Sequence, residues 1–401
     1  MMHSKNRTKR KGAMWPLLLA CLALMLAGVA LAVDTALLWQ ARQELQVAAD
    51  ASALGAALEL TEDQLLLRRP GVMSHTLKRA ARMAQVISAQ HHVLGVPQKL
   101  WIDDDDETSD FVAGFHVAHQ LGIQLAAGAD LDNPYLNAIE VTARRTRERG
   151  TPVGLFFTRL FKLESANVSA HAIATLDRQV VGFRPVGQLT VPLMPIALFT
   201  DPSGMDEDSW DAQVEKPLTL GGGGFDEFSY QKASRRWVHA SEGSKGDGLP
   251  EFLLRLPLGT NLEQVNGTLL QIGKVNAFLR QVEAGLQTSD LEDYQGQFAL
   301  GWDGQLPIDE LTSATSQTFE QIKLRLLKLH EAGEARIWPL YQRGETGILV
   351  QGFVAARIAQ VEMTQDYLQV ILQPTILTTG SAITEVTAGH NNYVGKIKLV
   401  R

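Results

Sequence analysis

The sequence predicts an α+β protein: one long N-terminal transmembrane and stalk helix, then a mixed, β-rich exported domain with a few helices. Three observations carry that prediction. From Gly12 to Val33 no residue is charged. From Leu38 to Ala56, small and apolar residues recur at spacings of three and four, the period of one helical face. From Ala138 onward, several segments alternate apolar and polar residues with a period of two, as half-buried strands do.

The uncharged run would make a helix of roughly 33 Å at ~1.5 Å per residue, enough to cross a bilayer core. Lys5, Arg7, Lys9, Arg10 and Lys11 precede it, and the first acid of the chain, Asp34, follows it. Basic residues on one flank keep that flank cytoplasmic, so the N-terminus stays inside and the remainder is exported. Pro16 falls in the first turn, where its missing N–H costs little. Ala30-Leu31-Ala32 matches the small-residue pattern of a signal cleavage site. The apolar run is longer than a signal core, however, and helical character continues past Asp34, so retention as an anchor is expected. Beyond Asp34, the stripe Leu38, Ala41, Leu45, Ala48, Ser52 and Ala56 is mostly small, which lets a partner helix approach closely. Arg42, Glu44, Asp50 and Glu59 fall off it.

Bulk properties narrow the function. A net charge of -7 with the basic residues gathered at the N-terminus argues against nucleic-acid binding. The single cysteine, Cys21, lies in the apolar run, so neither an intrachain disulfide nor a cysteine-based metal site is expected. Cys21 reads as a small packing residue.

The stretch Ala32–Leu60, AVDTALLWQARQELQVAADASALGAALEL, resembles the N-terminal module of the TadE/TadG-like proteins of the Tad (Flp) pilus system. The resemblance rests on Gly12, Ala32-Val33-Asp34, Leu45-Gln46, Ala48-Ala49-Asp50-Ala51, Ala53-Leu54 and Ala56-Ala57, and a weaker one extends over Ala138–Leu176. It implies a membrane-anchored protein of pilus assembly in the bacterial inner membrane, with a periplasmic C-terminal domain. Its partners would be the membrane and other pilus-assembly proteins or pilin-like helices. No cofactor, nucleic acid or small-molecule substrate is expected. Two departures limit what carries over. The fifth residue after Gly12 is Leu17 rather than the glutamate of prepilin processing. No D-x-S-x-S metal motif of a von Willebrand A domain occurs, since Asp50-Ala51-Ser52-Ala53-Leu54 fails at its last position. The membrane and stalk interaction residues are expected to be Asp34, Leu45, Gln46, Ala49, Asp50 and Ala53. Asp34 would set the membrane–water boundary, and Asp50 would cap or pair with a partner helix.

The chain divides by composition into a basic tail (1–12), the helix and stalk (13–60), a first α+β half (61–200), a flexible Gly/Asp/Ser-rich loop (201–250) and a second α+β half (251–401). A second helix is expected over His75–His92, from Leu77, Ala80, Ala81, Ala84 and Ile87. His91-His92 is a poor chelate, because adjacent residues on a helix point about 100° apart. The acidic run Asp103–Asp110 lacks calcium-loop spacing and reads as a solvated turn. Strands are expected at Ala138–Arg144 and Glu164–Leu176, bracketing the apolar segment Thr151–Phe161; His171 then reads as a sheet residue. Pro185, Pro192 and Pro195 mark Gly182–Phe199 as a connector or edge strand. Helices follow at Lys274–Leu286 and Thr315–Glu331, and strands at Gly347–Met363, Tyr367–Thr379 and Tyr393–Val400, the last of which should pair rather than trail.

Signatures of catalysis are missing: no G-x-S-x-G elbow, no H-E-x-x-H, and no phosphate loop, since Phe225-Asp226 follows Gly221–Gly224 where a Lys-Ser/Thr pair would be needed. A non-catalytic, membrane-anchored pilus-assembly component is the leading expectation. The alternatives are a secreted or surface-displayed minor pilin or adhesin, and a membrane-tethered periplasmic hydrolase.

Overall fold

The structure, a computed structural model, describes residues 14–103, 109–116, 124–125, 131–157, 164–221, 223–240, 246–258, 265–344, 347–386 and 388–400. Its first element is one unbroken helix, α1, Met14–Leu58, of 45 residues. At ~1.5 Å per residue it is roughly 68 Å long. Its first part is almost wholly exposed, with Leu17, Leu22, Leu26, Val29 and Leu31 bare. Burial begins at Asp34, and Ala41, Leu45, Ala48, Ala49, Ser52, Ala53 and Ala56 have no accessible surface. Those positions fall at i, i+4, i+7, i+8, i+11, i+12 and i+15, one face of an α-helix. The period reads as expected, but the occupant differs. The stripe is covered by the chain's own fold, so Leu45, Ala49 and Ala53 do not stand open to a partner helix.

Contacts divide the chain into two compact units. The first comprises 1–53, 83–112 and 140–172. It holds α1 as far as Ala53 and the second half of α2, Val72–Gln90. The helix expected to reach His92 stops at Gln90, because His92–Val93 pairs with Val96–Pro97 in a tight hairpin. Leu94 (φ 50°) and Gly95 (φ 79°) make the turn, both in the left-handed region that two-residue hairpins require. A short ladder, Val153–Gly154 with Ser165–Ala166, closes the segment after Ala138–Arg145. Residues 158–161, the rest of the apolar segment, lie outside the described residues, as do 104–108 of the acidic run.

Asp110, at the end of that run, is not solvated. It is buried, accepts the Trp101 N–H at 2.8 Å, and pairs with Arg144 at 3.2 Å and Arg149 at 3.4 Å. Burial pushes its carboxyl up, against the pull of the Trp101 N–H and the two guanidinium groups. Two arginines distant in sequence turn one acid of an apparently hydrophilic run inward.

The second unit comprises 54–82, 113–139 and 173–401. Its main sheet runs in the order Phe252–Pro257, Tyr367–Pro374, Ile348–Met363, Ala335–Arg343, Ile196–Phe199 and Gly267–Leu269, with Leu306–Ile308 also pairing Ile348–Met363. Ile196–Phe199, expected as a connector or edge, is internal: it runs parallel to Ala335–Arg343 and antiparallel to Gly267–Leu269. Pro195 precedes the strand, so it removes no donor from within it. Helix Ser316–Ala332 turns Phe319, Ile322, Leu326 and Leu329 inward, is capped by Thr315, and ends at Gly333 (φ 63°). The closing strand Val394–Val400 pairs antiparallel with residues 173–177, from Lys396 opposite Asp177 to Val400 opposite Ile173. The segment 200–250 holds more structure than its Gly/Asp/Ser content suggests. Trp210 is fully buried, helical turns cover Asp211–Thr219, and Phe228–Gln231 forms a hairpin with Arg236–His239.

Candidate functional site

The expected site residues lie along α1 within the first unit. Their polar members all satisfy, directly or through a neighbour, backbone groups of segments far away in sequence. Asp34 is 2% exposed. Its Oδ1 accepts the Phe156 N–H at 2.9 Å and its Oδ2 the Phe157 N–H at 3.1 Å. A carboxylate gripping two successive N–H groups is a charge-assisted clamp, about twice as strong as its neutral counterpart. A buried carboxylate needs such partners, since burying it without them costs several kcal/mol. Asp34 is therefore a joint between α1 and the 154–157 turn as well as the first charge after the apolar run.

Ten positions on, Glu44 accepts the Leu94 N–H at 2.6 Å and is itself reached by Gln40 at 2.9 Å. Leu94 carries the strained left-handed conformation of the hairpin turn, so Glu44 holds that turn closed. Gln46 donates to Asp50 Oδ1 at 2.7 Å and to the His171 carbonyl at 3.0 Å. Asp50 thus orients Gln46, which in turn fixes the strand Val168–Asp177. His171 enters through its carbonyl, in keeping with its expected place in a sheet. Leu45, Ala49 and Ala53 supply the apolar floor between these polar contacts.

The hairpin has a second fastening. Arg145, nearly buried, donates to the Val96 carbonyl at 2.7 Å and to Gln98 Oε1 at 3.1 Å. Burial lowers its pKa, yet guanidinium stays charged at any physiological pH. Sequence reasoning singles out Asp34, Gln46 and Asp50 on α1 and does not single out Glu44, Arg145 or the Phe156–Phe157 pair, which make the contacts described here. An isolated acid off a stripe gives no signal, and the Asp34–Phe156 contact spans 122 positions.

The second unit has its own buried acids. Asp63 accepts from Thr375 at 2.6 Å and the Ile376 N–H at 3.0 Å, and pairs with Arg357 at 2.7 Å. Glu251 accepts the N–H groups of Glu227 and Phe228, each at 2.8 Å, while burial pushes its carboxyl up to about 8; Asp247 is pushed up to about 6, also chiefly by burial. Among the described residues no group of three or more His, Cys, Asp or Glu is arranged to hold a metal ion. The α1 contacts can position and rigidify; they present no nucleophile beside a base.

Residues 12–59 match a family model described as Putative Flp pilus-assembly TadE/G-like, and residues 70–174 match one described as Putative Tad-like Flp pilus-assembly. No curated protein and no solved structure matches the chain. The N-terminal helix and the segment that follows it are thus similar to modules of Flp pilus-assembly proteins. Both matches support a resemblance to the TadE/TadG-like proteins of the Tad system. The clamps made by Asp34, Glu44 and Gln46 join the first matched segment to residues of the second, and 175–401 lie outside both matches.

Proposed function

We propose that the protein is a non-catalytic, membrane-anchored component of Tad/Flp-type pilus assembly. Residues Trp15–Val33 span the inner membrane, the basic tail stays cytoplasmic, and everything from Asp34 onward is periplasmic. The observation that carries this reading is the change of solvation along one continuous helix. Its first half exposes an uncharged apolar surface, and one face of its second half is buried in the folded first unit. Among the described residues, one helix is long and apolar enough to cross a membrane, and it is this one. The basic flank supports the orientation.

The exposed half of α1 is then the surface free to pack against other membrane helices of the assembly, because the stripe from Ala41 to Ala53 is already filled. The periplasmic unit outside the matched segments contributes contacts to envelope partners. Both roles need geometry rather than chemistry, which fits a site made of clamps. The test is the mass of the mature protein in separated inner-membrane and sheared-surface fractions. Full-length chain resisting carbonate extraction is the expected result. Chain shortened at Gly12 or after Ala32 and recovered in the sheared fraction would overturn it in favour of a pilin or secreted adhesin.

A further inference from the structure

We infer that Phe156 and Phe157 form a second membrane contact, a lipid-facing turn seated in the periplasmic headgroup layer beside α1; this rests on the membrane-anchored reading above. The two side chains are 71% and 41% exposed although both are large and apolar. Two adjacent exposed phenylalanines leave a sizeable apolar surface in water unless something covers it. Their height along the helix is fixed, because both backbone N–H groups are held by the Asp34 carboxylate. Asp34 is also where the uncharged, almost wholly exposed stretch of α1 ends. The turn therefore sits at the level where α1 leaves the hydrocarbon, continuous with the lipid-facing surface of the span.

Exposed tryptophans on α1 bracket the span. Trp39 is 67% exposed and lies five residues past Asp34, about 7.5 Å further along the axis. Trp15, 75% exposed, marks the opposite end. The rise between the two tryptophans is roughly 36 Å, between the ~30 Å hydrocarbon thickness and the ~40–45 Å that includes headgroups. Tryptophan rings favour these two interfaces. Phe156 and Phe157 thus extend an aromatic belt from the helix onto the folded unit. With two attachments in place of one, the exported unit is held against rotation about α1. The occupant is lipid rather than a partner protein, since the turn is fastened at the end of the uncharged, exposed stretch of α1, where the span meets the headgroups.

The test uses full-length protein in phosphatidylethanolamine/phosphatidylglycerol vesicles. Cys21→Ser removes the only native thiol. Spin labels are then placed singly through Phe156→Cys, Val96→Cys and Leu26→Cys, and power saturation compares oxygen with a water-soluble nickel chelate. Val96, exposed on the hairpin that Glu44 holds about 15 Å beyond Asp34, reports water; Leu26 reports the span. The expected result is an oxygen-to-nickel ratio at 156 several-fold above that at 96 and approaching that at 26. A ratio at 156 equal to that at 96, with 26 still lipid-like, would overturn the inference and leave the anchor intact. Exclusion of both reagents at 156 would overturn it in favour of a protein partner. A water-like label at 26 would overturn the anchor itself. The labelled side chain at 156 is not part of the clamp, which uses only backbone N–H, so folding is preserved.

Discussion

Trp15–Val33 and Ala41–Ala53 belong to the same helix and have opposite surroundings. The first stretch is rich in large apolar side chains and keeps them exposed; the second carries a mostly small stripe, Ala41, Leu45, Ala48, Ala49, Ser52 and Ala53, and hides that stripe completely. In water the assignment would be reversed, since large side chains gain most from burial. The contrast makes sense when the first stretch has lipid as its solvent and the second has the protein. Small residues at 41, 48, 49 and 53 let strands and turns approach the helix closely, and Asp34, Glu44 and Gln46 then satisfy the backbone groups brought near. The lesson is that a stripe of small residues on a helix does not specify its occupant. The same pattern suits a partner helix or the chain's own fold, and here the fold fills it.

The comparison breaks most visibly at Leu45. Leu45→Ala removes a fully buried side chain and should destabilise the first unit by about 2–5 kcal/mol. Leu26→Ala, the same chemical change in the exposed stretch, should shift thermal unfolding in detergent by no more than about 0.5 kcal/mol. Calorimetry of the two variants side by side checks the pair, and similar losses from both would end the distinction.

Next comes the joint itself. Asp34→Asn leaves one good acceptor where two N–H groups need one each, at a cost of about 1–3 kcal/mol. Hydrogen exchange at Phe156 and Phe157 should accelerate by roughly tenfold or more, while the Leu94 amide, held by Glu44, keeps its protection. Unchanged protection at 156 and 157 would remove Asp34 from its role.

How much of this was legible in the sequence differs by residue. α1 was readable because charge and period are local signals. Asp34, Gln46 and Asp50 stood out as polar positions in an apolar or small-residue helix, but what they hold did not, since their main-chain partners lie more than a hundred residues away. Asp110 misled, because a run of acids reads as solvated until the arginines that bury it are known. The segment 200–250 misled similarly: glycine and aspartate dominate its composition, while Trp210 organises it from within. Pro195 suggested an edge, yet it stands just before a strand paired on both sides.

A smaller effect is the pH dependence of the second unit. Glu251, at about 8, and Asp247, at about 6, keep protons that their unfolded counterparts release near pH 4. Between about pH 4 and 8 the folded second unit therefore binds more protons than the unfolded chain, and its stability falls as pH rises through that window, levelling above it. Unfolding midpoints should drop from pH 5 to pH 8, and Glu251→Gln should flatten most of that slope. A midpoint that climbs with pH would contradict the assignment. The titration moves the second unit's transition without touching the stripe of α1, which sharpens the Leu45 measurement.

The smallest effect is at Ser52, fully buried on the stripe with its hydroxyl lacking a hydrogen-bond partner among the described residues. Ser52→Ala should be neutral or stabilising by up to about 1 kcal/mol, since it removes an unsatisfied polar group and raises helix propensity. A loss above about 1 kcal/mol in chemical denaturation would mean the hydroxyl has a partner.

The most direct test of a helix with two solvents is thiol accessibility along α1 in native membranes, with and without urea. In a Cys21→Ser background, single cysteines at positions 18, 26, 45 and 49 are challenged with a membrane-impermeant maleimide. All four should resist labelling in buffer. Urea should expose 45 and 49 by unfolding the first unit, while 18 and 26 stay protected if lipid, not folding, shields them. Labelling of 18 or 26 in buffer, or urea-insensitive protection at 45 and 49, would contradict that division of α1 between membrane and protein.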